Sequence, residues 1–288
     1  MPRACRRAAV VGHPVEHSLS PLLHAAAYQA LGLDGWSYGR QDVTSEQLYY
    51  LLRDLDDDFA GLSLTMPLKQ TVIGLLDEVE PLAADLRSVN TVVFTREKKK
   101  RVSWGFNTDV HGVVEALREG FRDAGVDGGT EVSDAAVLGA GATAASTLAA
   151  LQRLGCEAPT VYARSIARTA DLAAVAERLG VQPSFVPLDE APSTLAGHAV
   201  LVSTLPPGAA DFLVPALADR AVAGVLLDVA YDPRRSPLSD AWAAAGGVAV
   251  DGERMLLHQA SEQVRLMTGR PGPLDAMDAA LGESLAAR

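Results

Sequence analysis

Short apolar runs alternate with helical spacing in the second half of the chain. Four of these runs predict buried strands, at residues 135–138, 160–163, 199–203 and 225–229. Alanine-rich segments with helical character lie between them, at 144–154 and 166–179. Strands that alternate with helices predict a parallel, doubly wound sheet, so the fold class is α/β.

The first half shows the same alternation in shorter elements. Apolar runs at 8–12 and 61–65 predict strands, and 21–33 predicts a helix in which Ser20 and Pro21 form the cap and first turn. Near the C-terminus, apolar residues at 256, 260, 264 and 267 share one helical face. A polar stretch at 126–130 predicts a loop.

Composition excludes several classes of protein. With 288 residues the chain can bury two cores, and a net charge of −11 disfavours nucleic-acid binding, which needs surplus Lys and Arg. Cys5 and Cys156 form neither a disulfide framework nor a metal-ligand spacing, so we expect no metal. No apolar run is long enough to span a membrane or to serve as a signal peptide, which predicts a cytoplasmic protein.

The segment 137–144 fits the dinucleotide pattern G-x-G-x-x-A between a strand and a helix. Gly139 would make the tight turn, Gly141 would let the backbone approach a pyrophosphate, and Ala144 would allow close packing of helix and strand. The start of the helix would face the phosphates with unpaired N–H groups. The predicted cofactor-binding loop is Gly139, Ala140, Gly141, Ala142 and Thr143.

The residue type at the end of the second predicted strand of this half indicates whether NAD or NADP is bound. NAD-binding sites carry Asp or Glu there to hold the ribose 2′-hydroxyl, whereas this chain has Arg164, with Arg168 one turn further. Two guanidinium groups suit a 2′-phosphate, so we predict NADP. The alternative interpretation is a pair of surface arginines.

Polar residues in the first half are candidates for substrate binding. Ser18 and Ser20 are two positions apart on a segment expected to be extended, so both hydroxyls would face one side near a helix start, where a carboxylate is favoured. Helix capping is the alternative. Lys69, Asn90 and Asp109 each follow or precede a predicted element, and taken singly each is typical of a turn. Periodicity does not predict that they converge.

Together, these segments resemble the shikimate dehydrogenase family. The similarity runs in family order over residues 8–270 and is carried by six segments: 12–21, 63–69, 89–91, 107–109, the glycine loop and 251–259. The resemblance implies NADP-linked interconversion of 3-dehydroshikimate and shikimate, on the way to chorismate and aromatic amino acids. It also implies an N-terminal substrate domain, a Rossmann-type cofactor domain, a C-terminal helix returning to the first domain, and an active site in a cleft between domains.

The domain boundaries that follow are 1–110 with 253–288 for substrate and 111–252 for NADP. Lys69 matches the family's catalytic lysine, acting as a proton donor or as a charge that stabilises the developing alkoxide. Asp109 matches the aspartate that pairs with this lysine and accepts a substrate hydroxyl. The other substrate residues implied are Ser18, Ser20 and Tyr231 for the carboxylate, and Thr65, Asn90 and Gln259 for ring hydroxyls. The other cofactor residues implied are Thr204, Val229, Gly252 and Met255.

Three positions depart from the family pattern: Ser63, where many members have Asn; Val110, where many have Gly; and Arg254, another frequent Gly. Two alternatives keep the fold, an NAD-preferring quinate/shikimate dehydrogenase and a catalytically idle NADP-binding sensor. A Rossmann-like methyltransferase is more distant, because it leaves the first-half pattern unexplained. A homodimer is the candidate assembly.

Overall fold

A computed structural model describes residues 5–98, 100–126, 131–232 and 234–287. The chain divides into two compact units. The first unit comprises Met1–Thr108 and Leu257–Arg288, and the second comprises Asp109–Leu256. Except for Val126, the predicted loop at 126–130 lies outside the described residues.

The helices and strands follow one another along the whole chain. The strands are β1 (Arg6–Gly12), β2 (Trp36–Asp42), β3 (Phe59–Leu64), β4 (Glu78–Val79), β5 (Thr91–Glu97), β6 (Lys100–Phe106), β7 (Ala135–Leu138), β8 (Thr160–Ala163), β9 (Ser184–Pro187), β10 (Val200–Ser203), β11 (Val225–Asp228) and β12 (Val248–Asp251). The α-helices are α1 (Ser20–Ala30), α2 (Ser45–Asp54), α3 (Leu68–Thr71), α4 (Pro81–Leu86), α5 (Asp109–Asp123), α6 (Ala142–Arg153), α7 (Ala170–Leu179), α8 (Ala191–Thr194), α9 (Pro237–Ala244), α10 (Gly252–Thr268) and α11 (Leu274–Ala286).

Within the described residues, the first unit contains a six-stranded mixed sheet in the order β2-β1-β3-β5-β6-β4. Strands β1, β2 and β3 are parallel, whereas β5 runs antiparallel to both β3 and β6. The pairing of β3 with β5 puts Ser63 opposite Thr91. One face of this sheet packs on an apolar cluster that includes Val11, Leu62 and Val92.

The start of α1 differs from the sequence prediction. The sequence predicts Ser20 as the cap, but the helix begins at Ser20 and the cap position is Leu19, in a helical conformation. Ser18 therefore does not lie on an extended segment with Ser20; instead, its hydroxyl accepts a hydrogen bond from the Ser20 backbone N–H at 3.3 Å. At the other end, Gly32 has a φ of +62°, which suits glycine at a helix terminus.

In the described part of the second unit, six strands form a parallel sheet in the order β12-β11-β10-β7-β8-β9. This is the doubly wound arrangement that the alternating pattern predicted, and the α/β fold class is confirmed. The chain order reverses between β7 and β10, at the carboxyl ends of which such folds bind ligands. The predicted helix at 166–179 is divided, since Ile166–Arg168 is a 3-10 helix and α7 starts at Ala170.

The predicted C-terminal helix starts earlier than its apolar residues at 256, 260, 264 and 267 indicated. Helix α5 begins at Asp109 and α10 at Gly252, so each carries a predicted site residue in its first turn. No helix among the described residues is both long and apolar enough to cross a membrane.

Candidate active site

The segment after β3 carries two of the predicted residues in one turn. Strand β3 is buried and ends at Leu64, after which the Thr65 N–H donates to the Val11 carbonyl at 2.9 Å. The Thr65 carbonyl then accepts from Leu68 N at 2.9 Å, which starts α3 and sets Lys69 in its first turn. Both Thr65 and Lys69 are half-buried. The chain after the carboxyl end of β3 therefore carries Thr65 and Lys69 four positions apart.

Asn90 is the centre of a buried polar cluster. Its Oδ1 accepts a hydrogen bond from the Thr108 backbone N–H at 2.8 Å, and its Nδ2 donates to Thr108 Oγ1 at 2.9 Å and to Gln259 Oε1 at 3.3 Å. Asn90 is only 2% exposed. The structure thus brings together two predicted substrate residues, Asn90 and Gln259, that lie far apart in the sequence.

Asp109 follows Thr108 directly and is the first residue of α5. Its carboxylate is buried, at 4% exposure. A negative charge in the first turn of a helix is stabilised by the helix dipole and by backbone N–H groups. The pairing of Lys69 with Asp109 expected from the family stays a prediction.

The predicted carboxylate site at Ser18 and Ser20 is also in the first unit. Ser18 is half-buried and Ser20 is buried, with a side-chain hydrogen bond between Ser20 and Tyr38. Burial raises the pKa of Tyr38 well above its ordinary value, so this phenol stays protonated and can donate.

Sequence analysis missed a second polar cluster that adjoins Asn90. Gln263 lies one helical turn after Gln259 on α10 and is buried. Its Oε1 accepts from Ser63 Oγ at 2.8 Å, and its Nε2 donates to Thr91 Oγ1 at 3.0 Å. The one available signal was the four-residue spacing of the two glutamines on α10.

A buried histidine closes this cluster. The His24 ring stacks on Tyr38 at 3.8 Å, and its Nε2 lies 3.4 Å from Gln263 Oε1. Burial lowers the pKa of His24 to about 3, so the ring is neutral at physiological pH. A neutral ring that donates from Nε2 to Gln263 accepts at Nδ1 from the Tyr28 hydroxyl, 3.3 Å away.

In the second unit, the glycine loop has the geometry that the pattern predicted. Gly139 has a φ of +106°, and a Cβ built there would lie 2.5 Å from Thr204 Oγ1. The Thr204 N–H and hydroxyl both bond to the Leu138 carbonyl at 2.8 Å. Only glycine suits this turn, and the structure places Thr204, another predicted cofactor residue, against it.

The start of α6 fits a bound pyrophosphate. Gly141 is the N-cap residue, and among the described residues no side chain caps the helix. A Cβ at Gly141 would meet no described atom within 4 Å, so the space above the loop is open. Ala142 and Thr143 in the first turn are half-buried, and their N–H groups belong to the set that a helix leaves unpaired.

Arg164 and Arg168 are both exposed beyond the end of β8. Arg164 follows the strand directly, and Arg168 ends the short 3-10 helix at Ile166–Arg168. Exposed guanidinium groups at this position are suited to bind a phosphate on the adenosine ribose. The donor set therefore fits NADP.

The remaining cofactor residues lie at the carboxyl ends of β11 and β12. A Cβ at Gly252 would lie 2.6 Å from the Val229 carbonyl carbon and 2.8 Å from the Ala230 carbonyl oxygen, so the start of α10 packs directly on the chain after β11. Met255 is buried in the same helical turn, and Tyr231 is half-buried two residues beyond Val229. Val229 and Gly252 are thus brought together.

Two buried carboxylates and one half-buried carboxylate follow β11 and β12 or end these strands. Burial raises the pKa of Asp228, Asp251 and Glu253 above the ordinary carboxylate values. Glu253 is 2% exposed and lies 3.6 Å from the Arg234 guanidinium, as measured between Oε1 and Nε. Within the described residues, no group of three His, Cys, Asp or Glu side chains is arranged to hold a metal ion.

Comparisons with known proteins agree with these features. Residues 10–92 match the model of the shikimate dehydrogenase substrate binding domain, and residues 252–281 match that of the shikimate 5′-dehydrogenase C-terminal domain. The shikimate dehydrogenase (NADP(+)) of Methanothermobacter thermautotrophicus is 32% identical over 282 residues, which cover 94% of each chain. The chain belongs to the shikimate dehydrogenase family.

Solved structures of shikimate dehydrogenases share the whole fold. The Mycobacterium tuberculosis shikimate dehydrogenase has a TM-score of 0.84 at 37% identity, covering 97% of this chain and 99% of that chain. The shikimate 5-dehydrogenase of Thermus thermophilus, solved with NADP(H) and shikimate, has a TM-score of 0.77 at 31% identity. That match covers 97% of this chain and 100% of the other.

The three departures from the shikimate dehydrogenase pattern each have a structural setting. Ser63 is buried and donates to Gln263. Val110 is fully buried in the first turn of α5. Arg254 forms a bidentate pair with Glu119 of α5, with N–O distances of 2.6 and 2.8 Å. None of the three removes a group that the predicted chemistry requires.

Proposed function

We propose that this protein catalyses the reversible, NADP-linked interconversion of 3-dehydroshikimate and shikimate, in the route to chorismate and aromatic amino acids. The named relatives support both the substrate and the cofactor. The observation that carries the proposal is the hydrogen bond between Asn90 and Gln259, which are 169 positions apart in the sequence. A buried pair of amides is suited to recognise a small molecule with several hydroxyls.

In this proposal, the first unit binds the substrate. Ser18 and Ser20 hold the carboxylate, while Thr65, Asn90 and Gln259 bond to the ring hydroxyls. Ser20, Asn90 and Gln259 are buried, so an analogue that lacks a hydroxyl would leave a desolvated partner unpaired. Such a site discriminates between closely similar ring acids.

Lys69 and Asp109 act on the oxygen that changes its bonding. When the ketone is reduced, Lys69 stabilises the developing alkoxide or gives it a proton. Asp109 orients the ammonium and accepts a hydrogen bond from the substrate. The buried state of Asp109 strengthens its interactions with both groups, because the local dielectric is low.

NADP, when bound, supplies or accepts the hydride. The residues that would hold it are the glycine loop at 139–143 for the pyrophosphate and Arg164 with Arg168 for the 2′-phosphate. Thr204, Val229, Gly252 and Met255 would line the remainder of the cofactor. The open space above Gly141 and the exposure of both arginines support this assignment.

Initial rates with shikimate or quinate, each paired with NADP or NAD, test the proposal. We expect the shikimate and NADP pair to be preferred over every other pair by about tenfold or more in kcat/KM, as recognition of the 2′-phosphate and of the hydroxyl pattern requires. Higher activity with quinate and NAD would favour the catabolic alternative. Binding of NADP without turnover of either acid would indicate the idle sensor.

The domain boundaries, the cytoplasmic location and the homodimer expected from the sequence stay predictions. We assign the substrate role to the first unit and the cofactor role to the second on the residues given above.

A further inference from the structure

We infer that Gln263, held by Ser63 and acting through Thr91, is a positioning residue that fixes the orientation of the two amides proposed to read the substrate hydroxyls. This inference rests on the proposed function. It concerns the half-buried Tyr38 and four buried residues of the first unit that no predicted substrate contact uses: Ser63, Thr91, Gln263 and His24.

At Tyr38 and Ser63, it is clear which group donates and which accepts each hydrogen bond of this network. Tyr38 Oη donates to Ser63 Oγ at 2.6 Å, so Ser63 directs its single proton to Gln263 Oε1 at 2.8 Å. The donation from Ser63 therefore fixes the orientation of the Gln263 amide, with its carbonyl oxygen toward Ser63. A second donor at the same oxygen, the neutral His24 ring at 3.4 Å, favours the same orientation.

The direction continues to the substrate amides. With its carbonyl held, Gln263 donates from Nε2 to Thr91 Oγ1 at 3.0 Å. Thr91 can then donate its own proton to Asn90 Oδ1, 2.8 Å away. The Thr108 backbone N–H donates to the same oxygen at 2.8 Å, and the two donors together turn the Asn90 amide nitrogen toward Gln259, whose Oε1 accepts from it at 3.3 Å. The Gln259 Oε1 also accepts from Thr108 Oγ1 at 3.3 Å, so the carbonyl end of this amide is fixed on the Asn90 side.

Because these groups are buried, exchanging the donor and acceptor ends of any amide in the network would cost free energy. Thr91 is fully buried, and Ser63, Gln263 and Asn90 are each at most 4% exposed. A flipped amide would set two donors or two acceptors against each other where water has little access. Ser63 differs from the asparagine of many relatives, and here it serves the network rather than a ligand.

The test uses Thr91→Val, which keeps the shape of the side chain and removes the relay hydroxyl. We expect the KM for shikimate to rise about tenfold and the KM for NADP to stay within about twofold, because one buried hydrogen bond is lost on the substrate side only. Discrimination between shikimate and analogues that each lack one ring hydroxyl should fall. Thr91→Ser should restore both values.

Thr95→Val is the matched control, because Thr95 lies on the same strand and is exposed, with its hydroxyl 3.5 Å from the Val102 carbonyl. We expect it to leave every kinetic value unchanged. Ser63→Ala, which removes a donor to Gln263, provides a second variant should Thr91→Val fold poorly, and it should raise the KM for shikimate in the same direction. Melting temperatures are measured for all variants.

A lowered melting temperature with an unchanged KM for shikimate in both Thr91→Val and Ser63→Ala would assign the network a purely structural role and overturn the inference. Equal increases in the KM for shikimate and NADP would also overturn it. A wild-type protein that neither binds nor oxidises shikimate would instead overturn the proposed function, and this inference with it.

Discussion

The polar groups predicted to bind ligands differ between the two units in burial and in how they are hydrogen-bonded. In the first unit, neutral amides, hydroxyls and an imidazole are buried and joined to one another over distances of 2.6 to 3.4 Å, as between Tyr38 and Ser63 or His24 and Gln263. In the second unit, the predicted cofactor contacts are a bare backbone turn and two exposed arginines, while the buried polar groups nearby are carboxylates.

The difference corresponds to two kinds of recognition. A dinucleotide phosphate can be held by local backbone geometry, which a short run of glycines encodes in one place. A ring with several hydroxyls requires side chains at fixed angles, and the residues proposed for it here come from separate elements: Thr65 follows β3, Asn90 precedes β5 and Gln259 lies on α10. The contrast can be tested with changes that affect one unit and spare the other.

The largest effect is expected from Lys69→Ala. Removing the ammonium should lower kcat by about a thousandfold or more, since it removes stabilisation of the developing alkoxide, while the Kd for NADP stays within about twofold. Stopped-flow turnover and fluorescence titration of the cofactor measure the two quantities. A parallel loss of cofactor affinity would mean that Lys69 belongs to cofactor binding and not to the substrate chemistry.

The next effect tests the second unit. The double variant Arg164→Ala with Arg168→Ala should raise the KM for NADP by about a hundredfold, because two charge-assisted contacts to the 2′-phosphate are lost, and leave the KM for NAD nearly unchanged. Arg153→Ala is the control, as Arg153 is an exposed arginine at the far end of α6. An equal loss for both cofactors would contradict recognition of the 2′-phosphate.

The smallest effect is a pH dependence of stability in the first unit. Burial lowers the pKa of His24 to about 3 from an ordinary 6.5. Below pH 6.5, His24 therefore binds a proton in the unfolded chain but stays neutral in the folded chain. Between about pH 7.5 and about pH 5 this linkage should remove about 2 kcal/mol from the free energy of unfolding.

Urea unfolding of the wild type and of His24→Phe across this pH range isolates the effect. Phenylalanine keeps an aromatic ring beside Tyr38 and does not titrate. The free energy of unfolding of the wild type, minus that of His24→Phe, should decrease as the pH falls. A difference that is independent of pH would show that His24 does not stay neutral in the folded protein. The raised pKa values of Asp228, Asp251 and Glu253 act in the opposite direction, and they cancel in the difference.

Sequence reasoning succeeded where a function is encoded locally. The strands predicted at residues 135–138 and 160–163 have the observed bounds, because parallel strands buried on both faces are continuous apolar runs. Gly139, where the glycine pattern predicted a tight turn, has a φ of +106°. The prediction of Ser20 as a cap was wrong because an N-cap preference does not specify which of two nearby serines bonds to the helix.

The polar network could not be predicted in the same way. Tyr38 lies on β2, whose sequence lacks a clean apolar alternation, and Gln263 is a polar residue that becomes buried only when α10 packs against β3 and β5. Contacts of this kind depend on tertiary packing, which periodicity does not encode. Family resemblance predicted Asn90 and Gln259 as substrate residues, but it did not predict the side chains that bond to them.

The interlocked amides of the first unit also bear on how readily this enzyme can acquire new preferences. The arginines beyond β8 are exposed, so cofactor preference is open to change by single mutations, each tolerated on its own. A change of one amide in the buried network leaves its neighbours mispaired unless several residues change together. Selection or engineering for a different ring acid would therefore pass through variants in which only some of these residues have changed, and such variants would bind either acid less well than the starting and final proteins do.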